Sequence, residues 1–438
     1  MSAILSLVIL TLAWAHAVMT NGAVEVNDWQ ISAIGIAVAG LIYWLFNRPE
    51  GTRNRTFPNL VFYLLALMLG LAALQIVPLP LAVIGFISPQ RVVDIQSAVP
   101  FTGQPVSYAT LSSVPIASRE IVVTLFCYVL VYFLVRQLAG RFKDTLWVPA
   151  LPLVIIGTLE GALGVFQTLS GIDPPVGSFV NRNHFAGLLE MCMPMAIMVG
   201  FGMLSKNQDR YSSPLKPALL ACLFFGGAAI MMLSIVRSSS RMGFMAAMVS
   251  LLVMAVAGIF SATRNSPKLR LIPVAIVVLL FAGAFIFMPT DRLAERFADM
   301  AATENAVDSE SRLLFWKQTG PLIATYPIVG CGLGAYESCF YKFKGVMPES
   351  TIDYAHNDYI QILAEFGFTG FAVIFALLVL FYKRAFHNFS VGKIDSGIAL
   401  ACVGAFTAII LHSAADFNLY IPANGLIVAW VAGLVRDA

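Results

Sequence analysis

Long apolar runs separated by short polar joints set the pattern of this chain. A helix needs about 20 apolar residues to cross the hydrocarbon of a bilayer. Twelve runs approach that length: 2–20, 30–46, 59–78, 120–139, 147–169, 184–204, 217–235, 242–261, 271–289, 357–382, 395–414 and 419–436. A further run, 80–88, is short, is bounded by Pro80 and Pro89, and reads as re-entrant or interfacial. The pattern predicts an all-α polytopic membrane protein of about twelve transmembrane helices. It is one membrane domain over 1–438 without internal repeat, and its largest extramembrane segment is 290–356, between the ninth and tenth spans. Within that segment DRLAERFADM and DSESRLLFWKQTGPLIATYP read as helical, the second with Asp308 or Ser309 as N-cap. Its Leu313, Leu314, Phe315, Trp316, Leu322 and Ile323 can lie along the membrane face.

Composition supports this class. Hydrophobic residues make up 59% of the 438, only 12% are charged, and mean hydropathy is +0.82. Soluble domains carry about 25% charged residues, so lipid must be part of the solvent. A net charge of +3 is too small to suggest nucleic acid. Lysine and arginine orient the spans. With the N-terminus in the cytoplasm, 16 of the 27 basic residues fall on inner segments and every short inner loop holds three. Both termini are then cytoplasmic. The first run resembles a signal peptide with an A-x-A-like end, but lacks a basic start and precedes many more spans, so it reads as a first span. Of six cysteines, Cys127, Cys192, Cys222 and Cys402 lie in apolar runs as small hydrophobes, whereas Cys331 and Cys339 share a polar outer loop and can pair as a disulfide or remain thiols.

Three basic residues stand in short outer loops against this rule: Arg182, Arg237 and Arg241. Ionisable residues inside spans gather in the same half: Glu160, Glu190, Glu365 and His412, with Asp416 just beyond. Such groups are costly in lipid and usually functional, although any one of them can be a satisfied helix–helix hydrogen bond. Three spans start on that side beside N-capping residues: NRNHFAG (Asn181, Arg182, Asn183, His184), RSSSRMG (Arg237 to Gly243) and AHNDY (His356, Asn357, Asp358). Helix N-termini attract anions, and arginine binds phosphate oxygens two at a time. The pattern points to an outward-facing cationic pocket. Lipid diphosphates are its obvious ligands, because nucleotide donors are cytoplasmic.

At these residues the chain resembles the O-antigen ligase and polymerase family, membrane glycosyltransferases that use undecaprenyl-diphosphate-linked glycans. Four pieces carry the resemblance, in family order: GSFVNRNHFAGLLEM, RSSSRMGFMAAM, SRLLFWKQTGPLIATYPIVGCGLGAYE and HNDYIQILAEFG. The resemblance implies that His356 is catalytic, that Ser240–Arg241 and Arg312 match family positions, and that Arg182 sits in an Asn-x-Asn motif. Arg237 has no clear counterpart, but four residues from Arg241 it can share a helix face with it. It implies glycan transfer from undecaprenyl diphosphate to lipid A–core at the periplasmic face of the bacterial inner membrane. His356 would be general base in an inverting attack. Arg182, Arg241, Arg312 and Arg237 would hold the diphosphate, and Asn181, Asn183, His184 and Asn357 would support them. No cofactor or metal is expected. Asp353, His356 and Asp358 fit no standard metal spacing, and no outer segment carries Asp-x-Asp. Glu365, about nine residues into its span and on roughly the opposite helix face from His356, reads as a structural partner for a neighbouring span, with Gly367 and Gly370 permitting close packing or a kink. The motifs do not separate a ligase from a polymerase acting on lipid-linked repeats. A solute transporter would also have twelve spans, but would show repeats and broken helices at the midplane.

Overall fold

The computed structural model describes residues 1–47, 59–103, 105–142, 145–205, 215–264, 266, 271–287, 306–345, 351–392 and 396–435. Each of the twelve apolar runs forms a helix. The chain opens with α1 (Ser2–Met19), α2 (Val26–Phe46) and α3 (Asn59–Leu74). Two short helices follow, α4 (Leu81–Ile87) and α5 (Pro89–Thr102), bracketed by an antiparallel pair, β1 (Leu79–Pro80) and β2 (Tyr108–Ala109). Then come α6 (Pro115–Arg141), α7 (Trp147–Leu169), α8 (Arg182–Ser205), α9 (Leu215–Arg237), α10 (Arg241–Ala262) and α11 (Leu271–Phe287). The chain ends with α12 (Ala306–Thr325), α13 (Tyr336–Phe340), α14 (Asp358–Ser390), α15 (Ser396–His412) and α16 (Pro422–Leu434). Eight of these, α1, α2, α6 to α10 and α14, are long and apolar enough to cross a membrane by length and composition. The apolar helices α3, α15 and α16 are shorter. The protein is an all-α, multi-pass membrane protein. The short run 80–88 becomes β1 and α4. DRLAERFADM, and ten of the sixteen basic residues that orient the chain, lie outside the described residues.

Residues 184–196 of α8 are all buried, as is nearly the whole of α15 and α16. These three pack on one another, with α6, α7, α9, α10 and α14 around them. Small residues set the spacing, as in membrane bundles generally. Gly161 of α7 lies on the Met231 backbone of α9, and Gly404 of α15 lies between Met254 and Pro194.

The long helix α14 is broken at Gly367, whose φ of 67° and ψ of −175° are non-helical. That region is essentially closed to residues with a side chain. The break exposes amide and carbonyl groups, and segment 326–332 docks into it. Phe368 N–H donates to Pro327 O (2.8 Å), Thr369 N–H to Ile328 O (3.2 Å) and Cys331 N–H to Ala364 O (2.9 Å). Gln75, at the end of α3, secures the joint. Its side-chain amide donates to Val329 O (2.7 Å) and Glu365 O (2.9 Å), and its side-chain oxygen accepts from Leu333 N–H (2.9 Å). Asp308 and Ser309 lie within α12 rather than at its cap. The helix packs through Thr319 and Leu322, with Tyr326 just past its end, while Leu313 stays exposed.

Gly367→Ala should lower stability by about 1–3 kcal/mol from its backbone conformation alone. Steric contact with the Ile328 and Gly330 backbone adds to this. Thermal unfolding in detergent, followed by tryptophan fluorescence, measures the loss.

Candidate active site

His356 is held by pinning both of its neighbours. Asn357 caps α14: its side-chain oxygen accepts from Tyr359 N–H (3.0 Å) and Ile360 N–H (3.1 Å), and its amide donates to Ala414 O (2.8 Å). Asp358 N–H donates to Ser413 O (2.9 Å) and Asp416 O (3.1 Å), and Asp358 Oδ2 accepts from Ser413 Oγ (2.7 Å). The start of α14 is thus laid on the loop after α15. On the other side, Ala355 N–H donates to Gln361 Oε1 (2.6 Å), and Ala355 O accepts from Trp316 Nε1 (2.8 Å). Between these clamps His356 takes a φ of +50°. The left-handed region costs a residue with a side chain about 1 kcal/mol.

This geometry turns the imidazole onto Asp416, with His356 Nδ1 at 3.7 Å from Asp416 Oδ1. His184 of α8 approaches the same oxygen through Nε2 at 3.6 Å, and Phe417 N–H donates to it at 2.9 Å. The Phe417 ring organises the cluster. Tyr354 stacks on it at 4.1 Å, and His184 and His356 meet it edge-on at 4.6 and 5.0 Å. Asp416 is buried, whereas the His356 side chain is 32% exposed. The exposed imidazole therefore has one nitrogen backed by a carboxylate and Nε2 left for whatever it meets. Burial pushes the Asp416 carboxyl up, but the imidazoles of His184 and His356 outweigh that and hold it well below the usual carboxylate range.

Three helix N-termini meet here. Asn181 Oδ1 accepts from Asn183 N–H (2.8 Å) at the start of α8, and Ser240 Oγ accepts from Gly243 N–H (3.2 Å) at the start of α10. Gly243 lies against Ala186, so the first turns of α8 and α10, bearing Arg182 and Arg241, are neighbours. His184, two residues after Arg182, reaches Asp416 and so joins them to the α14 N-terminus. Arg237 does not share a helix face with Arg241. It ends α9 and is exposed, and the Ser238–Ser240 turn, with Ser239 at φ +56°, separates the two. Two serines compete with the helix there, Ser238 Oγ for Ser240 N–H and Ser240 Oγ for Gly243 N–H. Arg312 is on α12, and its side chain is outside the described residues.

Glu365 accepts four hydrogen bonds: from Gly334 N–H (2.9 Å), Tyr336 N–H (3.1 Å), Gln361 Nε2 (3.0 Å) and Tyr420 Oη (2.9 Å). Two of its partners are on the 334–336 segment, which the break at Gly367 lets dock, and Tyr420, in the apolar run 419–436, ties it to a neighbouring span. Glu160 accepts from Ser178 N–H (3.0 Å), and Glu190 pairs with His412 Nδ1 at 3.0 Å, both fully buried. Cys331 and Cys339 are buried free thiols. Along the sequence Asp416 stands out by its depth but without a partner, and nothing marks Trp316, Gln361 or Tyr354 for a part in positioning His356. No local pattern links Trp316 to Ala355 across 39 positions, and nothing across the six positions from Ala355 to Gln361 announces their bond.

The family model described as O-antigen ligase matches residues 226–376, from within α9 to within α14. That segment holds three of the four motif pieces, including Arg241, Arg312 and His356, and Arg237 besides. The Asn181–His184 piece lies before it. No curated protein matches the chain.

Two variants test this arrangement. Glu365→Ala should cost about 3–5 kcal/mol, because four donors lose their acceptor. Asp416→Asn should destabilise the protein by about 1–3 kcal/mol at neutral pH. A carboxylate held below its ordinary value stabilises the fold above the ordinary range near 3.9, and that contribution disappears as pH falls through the folded value. The two unfolding curves should therefore converge in acid.

Proposed function

We propose, from the O-antigen ligase domain at residues 226–376 and the geometry around His356, that this protein transfers glycan from undecaprenyl diphosphate to lipid A–core. The reaction would run at the periplasmic face of the bacterial inner membrane, with both termini cytoplasmic and segment 290–356 outside. The distribution of lysine and arginine along the chain supports that orientation. The observation that carries the reading is a single one. A partly exposed imidazole is backed by a buried carboxylate at the point where two arginine-bearing helix N-termini and its own helix meet.

Asp416 faces Nδ1 and favours the tautomer that leaves Nε2 free to accept a proton, the logic of a carboxylate-oriented histidine base. An acceptor hydroxyl gives its proton to Nε2 as its oxygen attacks the anomeric carbon. The bond from that carbon to the diphosphate breaks, and the electron pair leaves with the phosphate. Attack opposite the leaving group inverts the anomeric centre. Charge grows on the diphosphate, and Arg182 and Arg241, at the N-termini of α8 and α10, would stabilise it, with Arg312 from α12 and Arg237 contributing. Asn181 and Asn357 fix two of these helix starts, Asn183 lies in the first turn of α8, and His184 ties that helix to Asp416. Nothing in this scheme calls for a metal or cofactor.

His356→Ala should reduce transfer by about 10²- to 10⁴-fold, the usual contribution of a general base. Purified protein is given the lipid-diphosphate-linked glycan with lipid A–core in one vessel and a second lipid-linked repeat in another. Glycan on lipid A–core alone supports the ligase. Longer lipid-linked chains alone would replace it with a polymerase, and transfer in neither would overturn the glycosyltransferase reading. Arg241→Lys keeps the charge but loses the planar fork, and should slow transfer about tenfold.

A further inference from the structure

Beneath His356, buried polar atoms without hydrogen-bond partners among the described residues gather in one place. Four are nitrogens: His356 Nδ1, His184 Nε2, His412 Nε2 and Asn418 Nδ2. Three are oxygens: Asp416 Oδ2, Glu190 Oε2 and Asn424 Oδ1. Apart from His356, their residues are at least nine-tenths buried. The α8 helix presents His184, Gly187 and Glu190 at three-residue steps, toward the 412–418 loop. Asn418 lies against Gly187, and Asn424 Nδ2 donates to both His184 O (3.0 Å) and Asn418 Oδ1 (2.8 Å). The two asparagines therefore stand between the Asp416 cluster and the Glu190–His412 pair.

The chemistry of these atoms selects the ligand. An amide N–H only donates and carboxylate oxygens only accept, while imidazole nitrogens do either. A cation would be repelled by the Asn418 amide hydrogens, and an anion by the carboxylates. Water both donates and accepts, and buried water typically makes about three such bonds. We propose that ordered water molecules bridge Asp416 and the Glu190–His412 pair, forming a path that carries the proton away from His356. This rests on the general-base reading given above.

The balance is simple. His356 Nε2 gains the proton of the acceptor hydroxyl, and the electron pair of the broken glycosyl–phosphate bond leaves with the diphosphate. The imidazole then releases its Nδ1 proton, the side that faces Asp416, because bound substrates cover the exposed side. The proton passes through water to the Glu190–His412 pair, whose side chains meet at 3.0 Å. Other ionisable groups nearby are engaged elsewhere, Asp358 of α14 with Ser413 and Leu419 and Glu160 of α7 with Ser178, while Arg182 and Arg241 begin α8 and α10. Glu190 touches no substrate and acts through His356 as a positioning residue.

Two measurements decide this. Electron cryomicroscopy of the full chain in lipid nanodiscs, at a resolution that shows water, should reveal density within hydrogen-bond distance of Asp416 Oδ2 and Glu190 Oε2. A dry cluster overturns the proposal. Glu190→Gln should slow glycan transfer about tenfold with donor KM unchanged, and the solvent deuterium isotope effect on kcat should rise. An undiminished rate, or a loss with an unchanged isotope effect, overturns it. If the variant does not fold, the density in the unaltered protein decides. That density does not depend on activity, so a dry cluster and a failure of the transferase reading are distinguishable.

Discussion

The carboxylate of Glu365 sits where helix α14 breaks, and the polar end of the bundle is assembled around it. Four donors converge on it from the 334–336 segment, from Gln361 and from Tyr420. A carboxylate in an apolar surround is tolerated only when its lone pairs are filled, so these groups must arrive together or not at all. Gln361 is the connection to the chemistry. Its amide donates to Glu365 while its oxygen accepts from Ala355, the residue before His356. A single glutamine therefore links the joint that holds the fold to the backbone that aims the imidazole. The same segment 331–340 supports α12, whose Trp316 holds the other side of Ala355.

Three carboxylates at similar depth have three different environments. Glu365 is saturated with donors and is structural. Asp416 has one oxygen shared by two imidazoles and Phe417 N–H, and its other oxygen has no partner among the described residues. Glu190 has one partner, His412. Of these three, Glu365 alone has the expense of an ionisable group in a membrane bundle fully offset among the described residues. The partly satisfied pair, Asp416 and Glu190, lies under the exposed histidine. Unfilled hydrogen-bonding capacity is thus concentrated next to the one imidazole of the cluster that reaches the surface.

Much of this protein is legible along the chain. Period-independent apolar runs of membrane length become helices because backbone groups in lipid can be satisfied only within the helix itself. The caps at Asn181, Ser240 and Asn357 also act locally, within three residues, and each is readable. Gly367 stands out as a place for a kink, since only glycine takes that conformation. Local reading fails where two local rules compete. Spacing puts Arg237 and Arg241 on one helix face, but the serines between them cap a new helix instead.

The sequence by itself determined the class, the helices, their caps and the residue types fit for phosphate and proton chemistry, because all of these depend on neighbours a few positions apart. Only the tertiary structure decided which of those groups meet. It brought His184 and His356 onto one oxygen of Asp416, paired Glu190 with His412 across 222 positions, and brought a docking segment to Glu365 beside Tyr420. The physical reason is that helix packing sets those distances, through small residues such as Gly187 and Gly243 that let particular turns approach. Spacing along one helix carries no record of which turn of another helix will lie against it.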